Sequence, residues 1–174
     1  MSSLTKVSGI GRALADKLHA QGARNTSDLR KKKYFDQLPI QAQVDLKFKP
    51  IREIPRDLIT NVYVEFKKLF KGYKFDFTGS YRRGASTSGD IDCLIICKSW
   101  AEVMAAAGKS RKIKLHQPYM QGEDRMSTLM EFSPSMLPAS LKGKVKTHIL
   151  KVDFYRASKD NYVFNMLYSK IGRA

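Results

Sequence analysis

From Gly79 to Asp92 the chain reads GSYRRGASTSGDID. Asp90 and Asp92 stand two residues apart. On a β-strand that spacing puts both side chains on one face, with Ile91 and Cys93 turned the other way. Two adjacent carboxylates repel unless a cation lies between them. Mg²⁺ suits such a pair, because it is hard, prefers oxygen and keeps positions open for substrate phosphate. A hydrated Asp pair at a strand end is also common, so the pair alone does not decide the matter.

The upstream half adds weight. Gly79 and Ser80 follow the alternating run YKFDF and open a short helix. A glycine there permits close backbone approach, and the N–H groups and the Ser80 hydroxyl can hold phosphate oxygens. Arg82 and Arg83 add charge that persists at any working pH. The second loose bend, GASTSGD, brings Ser88 and Gly89 directly up to Asp90. A phosphate held by this loop would therefore sit beside a metal held by the Asp pair. A polar hairpin with solvated arginines explains each part but not their adjacency, which favours a functional reading.

A third acid lies in HILKVDFY. Leu150, Val152 and Phe154 form one face of a strand, and Ile149, Lys151, Asp153 and Tyr155 the other. An acid buried in a sheet needs a partner. A metal shared with the Asp pair would serve, and so would an ion pair with Lys151 or Arg156.

These residues need a framework to hold them. GIGRALADKLHAQG predicts a glycine turn feeding a helix with Ala13, Leu14 and Leu18 on one side and Gly22 as the stop. NTSDLRKKKYF and LPIQAQVDLKF predict two more short helices. After the prolines of KPIREIPRD, apolar residues Leu58, Ile59, Val62, Phe66, Leu69 and Phe70 recur at helical spacing to about Lys71. The period then changes. Tyr73–Phe77, DIDCLIIC, KIKLHQPYM, MSTLMEF and KTHILKVDFY predict strands, SWAEVMAAAG and KDNYVFNMLYS helices, and SPSMLPASLKGK a loop. The fold class is α+β: a small helical domain over 1–56 and a mixed sheet flanked by helices over 57–174.

Lys and Arg number 32 against 16 acidic residues, a formal charge of +16. So large an excess points to an anionic partner, nucleic acid before an anionic membrane. No apolar run has spanning length and the start is not signal-like, so no membrane partner is expected. RKKKYF and GKSRKIKLH are candidate phosphate contacts or solvated faces. Cys93 and Cys97 read as small apolar residues in a reducing compartment, and His19, His116 and His148 as structural.

GSYRRG…SGDID with a later strand Asp resembles the palm of family X DNA polymerases, the DNA polymerase beta-like branch of the nucleotidyltransferase superfamily. VSGIGRALADKLHAQGARNTSDLR resembles their fingers-domain helix-hairpin-helix, and IPRD their fingers-to-palm junction. The resemblance implies that Asp90 and Asp92 bridge two Mg²⁺ ions, for which Mn²⁺ can substitute. Asp153 would ligate the catalytic ion and activate the primer 3′-hydroxyl. Gly79, Ser80, Arg83, Ser88 and Gly89 would hold the triphosphate, with Lys151 near the primer terminus. In the hairpin, the carbonyls of Thr5, Val7 and Ile10 would hold Na⁺ or K⁺, and Gly9 and Gly11 would bring N–H groups to a DNA phosphate. That last role also follows from the residues, since a Gly-x-Gly turn at a helix start is an anion site. An ordinary turn between helices accounts for it as well.

Three departures stand out. The residue before IPR, where the family places a triphosphate Arg, is Glu53, with Arg52 as the neighbouring substitute. The family's Tyr-Phe-Thr-Gly-Ser is represented only by YSKIGR, which bears on sugar selection. The expected organisation is fingers and palm, without the family's lyase domain or thumb within residues 1–174. The expectation is a reduced, monomeric family X polymerase acting on dNTP and primed or gapped DNA in repair, intracellular and nuclear in a eukaryote. Two alternatives accompany it: a DNA-binding module with a relic palm, and a nucleotidyltransferase for another acceptor.

Overall fold

The computed structural model describes residues 3–168. The chain divides into two compact units, Met1–Lys49 and Pro50–Ala174.

The first unit is all helical. A 3₁₀ turn at Ser3–Lys6 leads to α1 (Arg12–Ala20), a second turn at Asp28–Arg30, then α2 (Lys32–Phe35) and α3 (Ile40–Phe48). Its core joins Leu4, Val7, Ile10, Leu18, Leu29 and Leu46. On α1 the buried positions are Ala15 and Leu18; Leu14 is half-buried and Ala13 exposed, so the apolar face lies one step round from the expected one. The helix stops where expected, with Gly22 N–H donating to His19 O and Ala23 N–H to Leu18 O, which satisfies its last carbonyls.

The second unit begins with β1 (Ile54–Pro55), α4 (Arg56–Leu69), β2 (Phe75–Phe77), α5 (Gly79–Arg82) and β3 (Thr87–Ser88). Next come β4 (Ile91–Ile95), α6 (Trp100–Ala107), β5 (Ile113–Leu115) and β6 (Met120–Gln121). The order closes with β7 (Arg125–Phe132), β8 (Ile149–Arg156) and α7 (Tyr162–Tyr168). The main sheet runs β2-β4-β8-β7-β5, with β6 also on β7. Only β4 and β8 pair in parallel among the described strands. The fold is thus a mixed α+β sheet with flanking helices, as a nucleotidyltransferase-like palm has.

The apolar stripe of α4 supplies one side of the core. Phe66 stacks on Phe154 at 6.0 Å and meets Phe70 and Phe77 edge-on. This burial on one face of β8 leaves Lys151, Asp153 and Tyr155 to the opposite face, the alternation that the sequence predicts. All five residues of β4 are buried, so the sheet is covered on both sides there.

Three details differ from expectation. Residues 50–56, placed with the helical domain from sequence, bond into the second unit: Ile51 N–H donates to Ile149 O, and Ile54 and Pro55 pair with Ser88 and Thr87. KIKLHQPYM splits into β5 and β6, because Pro118 has no N–H to continue the ladder. The loop SPSMLPASLKGK carries two 3₁₀ turns, and its Met136 and Leu137 are buried. YSKIGR beyond Tyr168 lies outside the described residues. No helix among the described residues is long and apolar enough to cross a membrane.

Candidate active site

Strand register builds the site. In the parallel pair β4·β8, Asp92 lies opposite Asp153. In the antiparallel pair β7·β8, Ser127 lies opposite Asp153. Residues in register share a face, so Asp92, Asp153 and Ser127 form a row across three adjacent strands. Asp90 sits one residue ahead of β4 and joins the row at its end. One ligand atom from each of Asp90, Asp92 and Asp153 lies within 4.8 Å of the others.

The three acids have unequal surroundings. Asp153 is 5% exposed and has both oxygens engaged. Ser127 Oγ donates to its Oδ1 at 2.5 Å, and Arg125 Nη2 lies 3.3 Å from its Oδ2. This ion pair comes from Arg125, where the sequence offers Lys151 or Arg156 as alternatives to a metal. Arg156 instead donates to Lys98 O at 3.1 Å, and the Lys151 charge acts on Asp90. Asp92 is also 5% exposed, yet its Oδ1 is buried with no hydrogen-bond partner.

Burial, followed by the neighbouring carboxylates, pushes Asp92 up to about 8. Arg125 and Arg83 oppose the shift without cancelling it. Burial first, then Asp153, raises Asp90 to about 6, against Lys151 and Arg125. Such a site is short of positive charge. A buried carboxylate oxygen without a donor, beside two more carboxylates, fits a divalent oxygen-seeking cation.

The loop above the acids is tightly tied. Gly79 has φ +65°, and a Cβ there would overlap Asp92 Oδ2. Glycine is therefore required twice over, by conformation and by contact. Thr78 N–H donates to Asp92 O at 2.8 Å. Ser80 Oγ and Ser88 Oγ share a hydrogen bond of 2.5 Å, closing the two ends of the loop on each other. Arg56, at the start of α4, lies 4.1 Å over the Tyr81 ring and donates to Tyr81 O and Ala85 O. Arg83 is exposed on the same segment, and Gly89 is exposed beside the Arg52 carbonyl. Ser80, Arg83, Ser88 and Gly89 are thus gathered around Asp90 and Asp92, while the Glu53 side chain is exposed.

In the first unit, Thr5 lies in the opening 3₁₀ turn, and Ile10 N–H donates to Val7 O at 3.1 Å. Gly9 has φ +85°, and a Cβ there would come within 3.2 Å of Pro39 Cγ. Gly11 caps α1 with open space around it. The histidines have local partners: His19 with Arg24, His116 with Glu131, and His148 edge-on to Phe132. Cys93 is buried, Cys97 half-buried, and both are free thiols.

Residues 50–133 match the family model described as DNA polymerase beta palm. Over this segment the second unit is similar to a DNA polymerase beta palm, which suggests nucleotidyl transfer as its general class of chemistry. The matched segment holds Asp90, Asp92 and the loop. Asp153 lies beyond it and joins them through the β4·β8 register.

Sequence reasoning missed Arg125, Ser127 and Arg56 as site residues. Arg125 and Ser127 owe their place to pairing between distant strands, which no local pattern announces. Arg56 stands in the quoted IPRD, but its reach to Tyr81 depends on the tertiary fold.

Proposed function

We propose that this chain is a family X DNA polymerase, with the unit over residues 1–49 as helical fingers and the unit from Pro50 onward as palm. It transfers a deoxynucleotide from dNTP to a primer 3′-hydroxyl in gapped DNA. The observation that carries the reading is the convergence of Asp90, Asp92 and Asp153, one of whose oxygens, Asp92 Oδ1, is buried without a hydrogen-bond partner.

In this reading Asp90 and Asp92 would hold two Mg²⁺ ions, with Asp153 on the catalytic one. Bound there, such ions supply charge stabilisation for the attacking and leaving oxygens. Ser80, Ser88 and the N–H groups around Gly79 and Gly89 grip the triphosphate, and Arg83 neutralises it. Asp153 faces the primer end and accepts the proton of the 3′-hydroxyl, with Lys151 alongside. The 3′-oxygen forms a bond to the α-phosphorus as the bond to the β-phosphate oxygen breaks, and pyrophosphate leaves. Gly9 and Gly11 present N–H groups to a DNA phosphate beside a Na⁺ or K⁺ held by the carbonyls of Thr5, Val7 and Ile10.

Extension of a labelled primer on gapped DNA, with Mg²⁺ and each dNTP, tests this directly. Product that requires all three carboxylates supports it. DNA binding with no transfer to DNA, RNA or a small acceptor would favour a binding module; transfer to RNA or a small acceptor alone would favour another nucleotidyltransferase.

A further inference from the structure

Asp153 is tethered at both oxygens by side chains from β7, and the two tethers differ in character. Ser127 is 1% exposed, so no solvent competes for its hydrogen bond to Oδ1. Its register opposite Asp153 fixes the direction of approach. The Arg125 side chain is 45% exposed and reaches inward to Oδ2 from the strand's first residue. Its guanidinium also lies 5.4 Å from the centre of the Tyr155 ring, the residue opposite it on β8. It can leave Oδ2 and remain against that ring.

A row of three carboxylates without cations would repel, and Arg125 brings a positive charge to the row, 3.3 Å from Asp153 Oδ2. A divalent ion that binds Asp153 through Oδ2 displaces Arg125 from that oxygen. We propose that Ser127 and Arg125 are positioning residues for Asp153. Ser127 fixes the carboxylate's rotation through Oδ1, and Arg125 stands in for a cation at Oδ2 until a divalent ion enters. The proposal rests on reading the triad as a divalent-metal site.

The test uses the full chain and two readouts, free Mn²⁺ by electron paramagnetic resonance and single-turnover primer extension. Arg125→Gln removes a competing charge and should bind Mn²⁺ about tenfold tighter, whereas Arg125→Lys should stay within about twofold of wild type. Ser127→Ala should lower the transfer rate about tenfold, leave the dNTP Kd within about twofold and weaken Mn²⁺ binding about threefold. Ser127→Thr should restore both, which separates an orienting hydroxyl from a packing role.

Mn²⁺ affinity in Arg125→Gln equal to or weaker than wild type would overturn the Arg125 role. An unaltered rate and Mn²⁺ affinity in Ser127→Ala would overturn the Ser127 role. Wild-type protein that binds no Mn²⁺ would overturn the metal reading and the proposal together. Wild type that binds Mn²⁺ but transfers no nucleotide removes only the polymerase reading, and the Mn²⁺ affinities of the four variants still decide both roles.

Discussion

Gly79 and Asp92 are packed so closely that the glycine has no room for a side chain: a Cβ at position 79 would occupy the place of Asp92 Oδ2. The backbone at Gly79 and the Asp92 carboxylate are thus one fitted unit. Gly79→Ala adds strain at φ +65° to that overlap. It should destabilise the fold by at least about 2 kcal/mol and weaken Mn²⁺ binding, because Asp92 must rotate away. Urea denaturation alongside Mn²⁺ titration checks both; a stable variant with unchanged Mn²⁺ affinity contradicts the packing account.

The metal-free site should respond to pH in a defined direction. Asp90 and Asp92 are raised to about 6 and about 8, above the carboxylate range of an unfolded chain. Between those ranges the folded state binds more protons than the unfolded one, so stability falls as pH rises. The contribution is whole below about pH 4 and lost as pH climbs through 6 and then 8. In chelator, the difference in thermal midpoint between Asp92→Asn and wild type should widen from pH 5 to pH 9, the variant being the more stable at the upper end. Added Mg²⁺ should close the gap by stabilising wild type. A difference independent of pH would count against a strained, cation-seeking triad.

The carboxylates should separate by function as well. Asp90→Asn, Asp92→Asn and Asp153→Asn should each abolish transfer while circular dichroism stays native. Under the proposed roles, with Asp153 on the primer side and holding only the catalytic ion, Asp153→Asn should spare Mg-dNTP affinity more than Asp92→Asn does. Equal losses of dNTP affinity, measured by fluorescence titration, would contradict those roles.

Arg56 braces the loop from outside, through Tyr81 and Ala85. Arg56→Ala should loosen the Ser80–Ser88 closure and raise the dNTP Kd by a factor corresponding to about 1–2 kcal/mol, leaving Mn²⁺ affinity nearly unchanged. A parallel loss of both affinities would mean that the brace acts on the whole sheet instead.

Gly9 tests the helical unit by itself. Its φ of +85° and its proximity to Pro39 leave little tolerance for a side chain. Gly9→Val should weaken duplex DNA binding at every sequence. Gly11→Ala, in open space, should disturb the fold little and DNA affinity only through the lost approach to phosphate. Wild-type affinity should fall with salt at a slope of about −0.9 per phosphate contacted. Salt-independent binding would exclude a phosphate contact.

The legibility of this site in sequence follows the range of the interactions. Asp90 and Asp92 are readable because a two-residue spacing means one face on any strand. Asp153 is readable as an acid on the face of an alternating strand opposite Leu150, Val152 and Phe154. Its partners are not, since Lys151 and Arg156 are neighbours in sequence whereas Ser127 and Arg125 are neighbours only through the β7·β8 register. The same limit explains residues 50–56. Their prolines read as a linker, but Ile51 and Ile54 find partners at Ile149 and Ser88, far along the chain. On α1, the shift from Ala13 to Ala15 reflects which side the rest of the helical unit covers, and a short helix with few large apolar residues does not specify that side.

The parallel pairing of β4 with β8 also has a kinetic side. Asp92 meets Asp153 only after α6, β5, β6 and β7 have been laid down between them, a long-range closure that two-state chains make slowly. The repulsion among the three carboxylates is consequently absent from early, local structure and is felt when that last closure is made. A divalent ion bound by all three acids would then slow the opening of the native fold more than it hastens its formation. In a chevron plot its signature would be a lowered unfolding arm over a nearly unmoved folding arm.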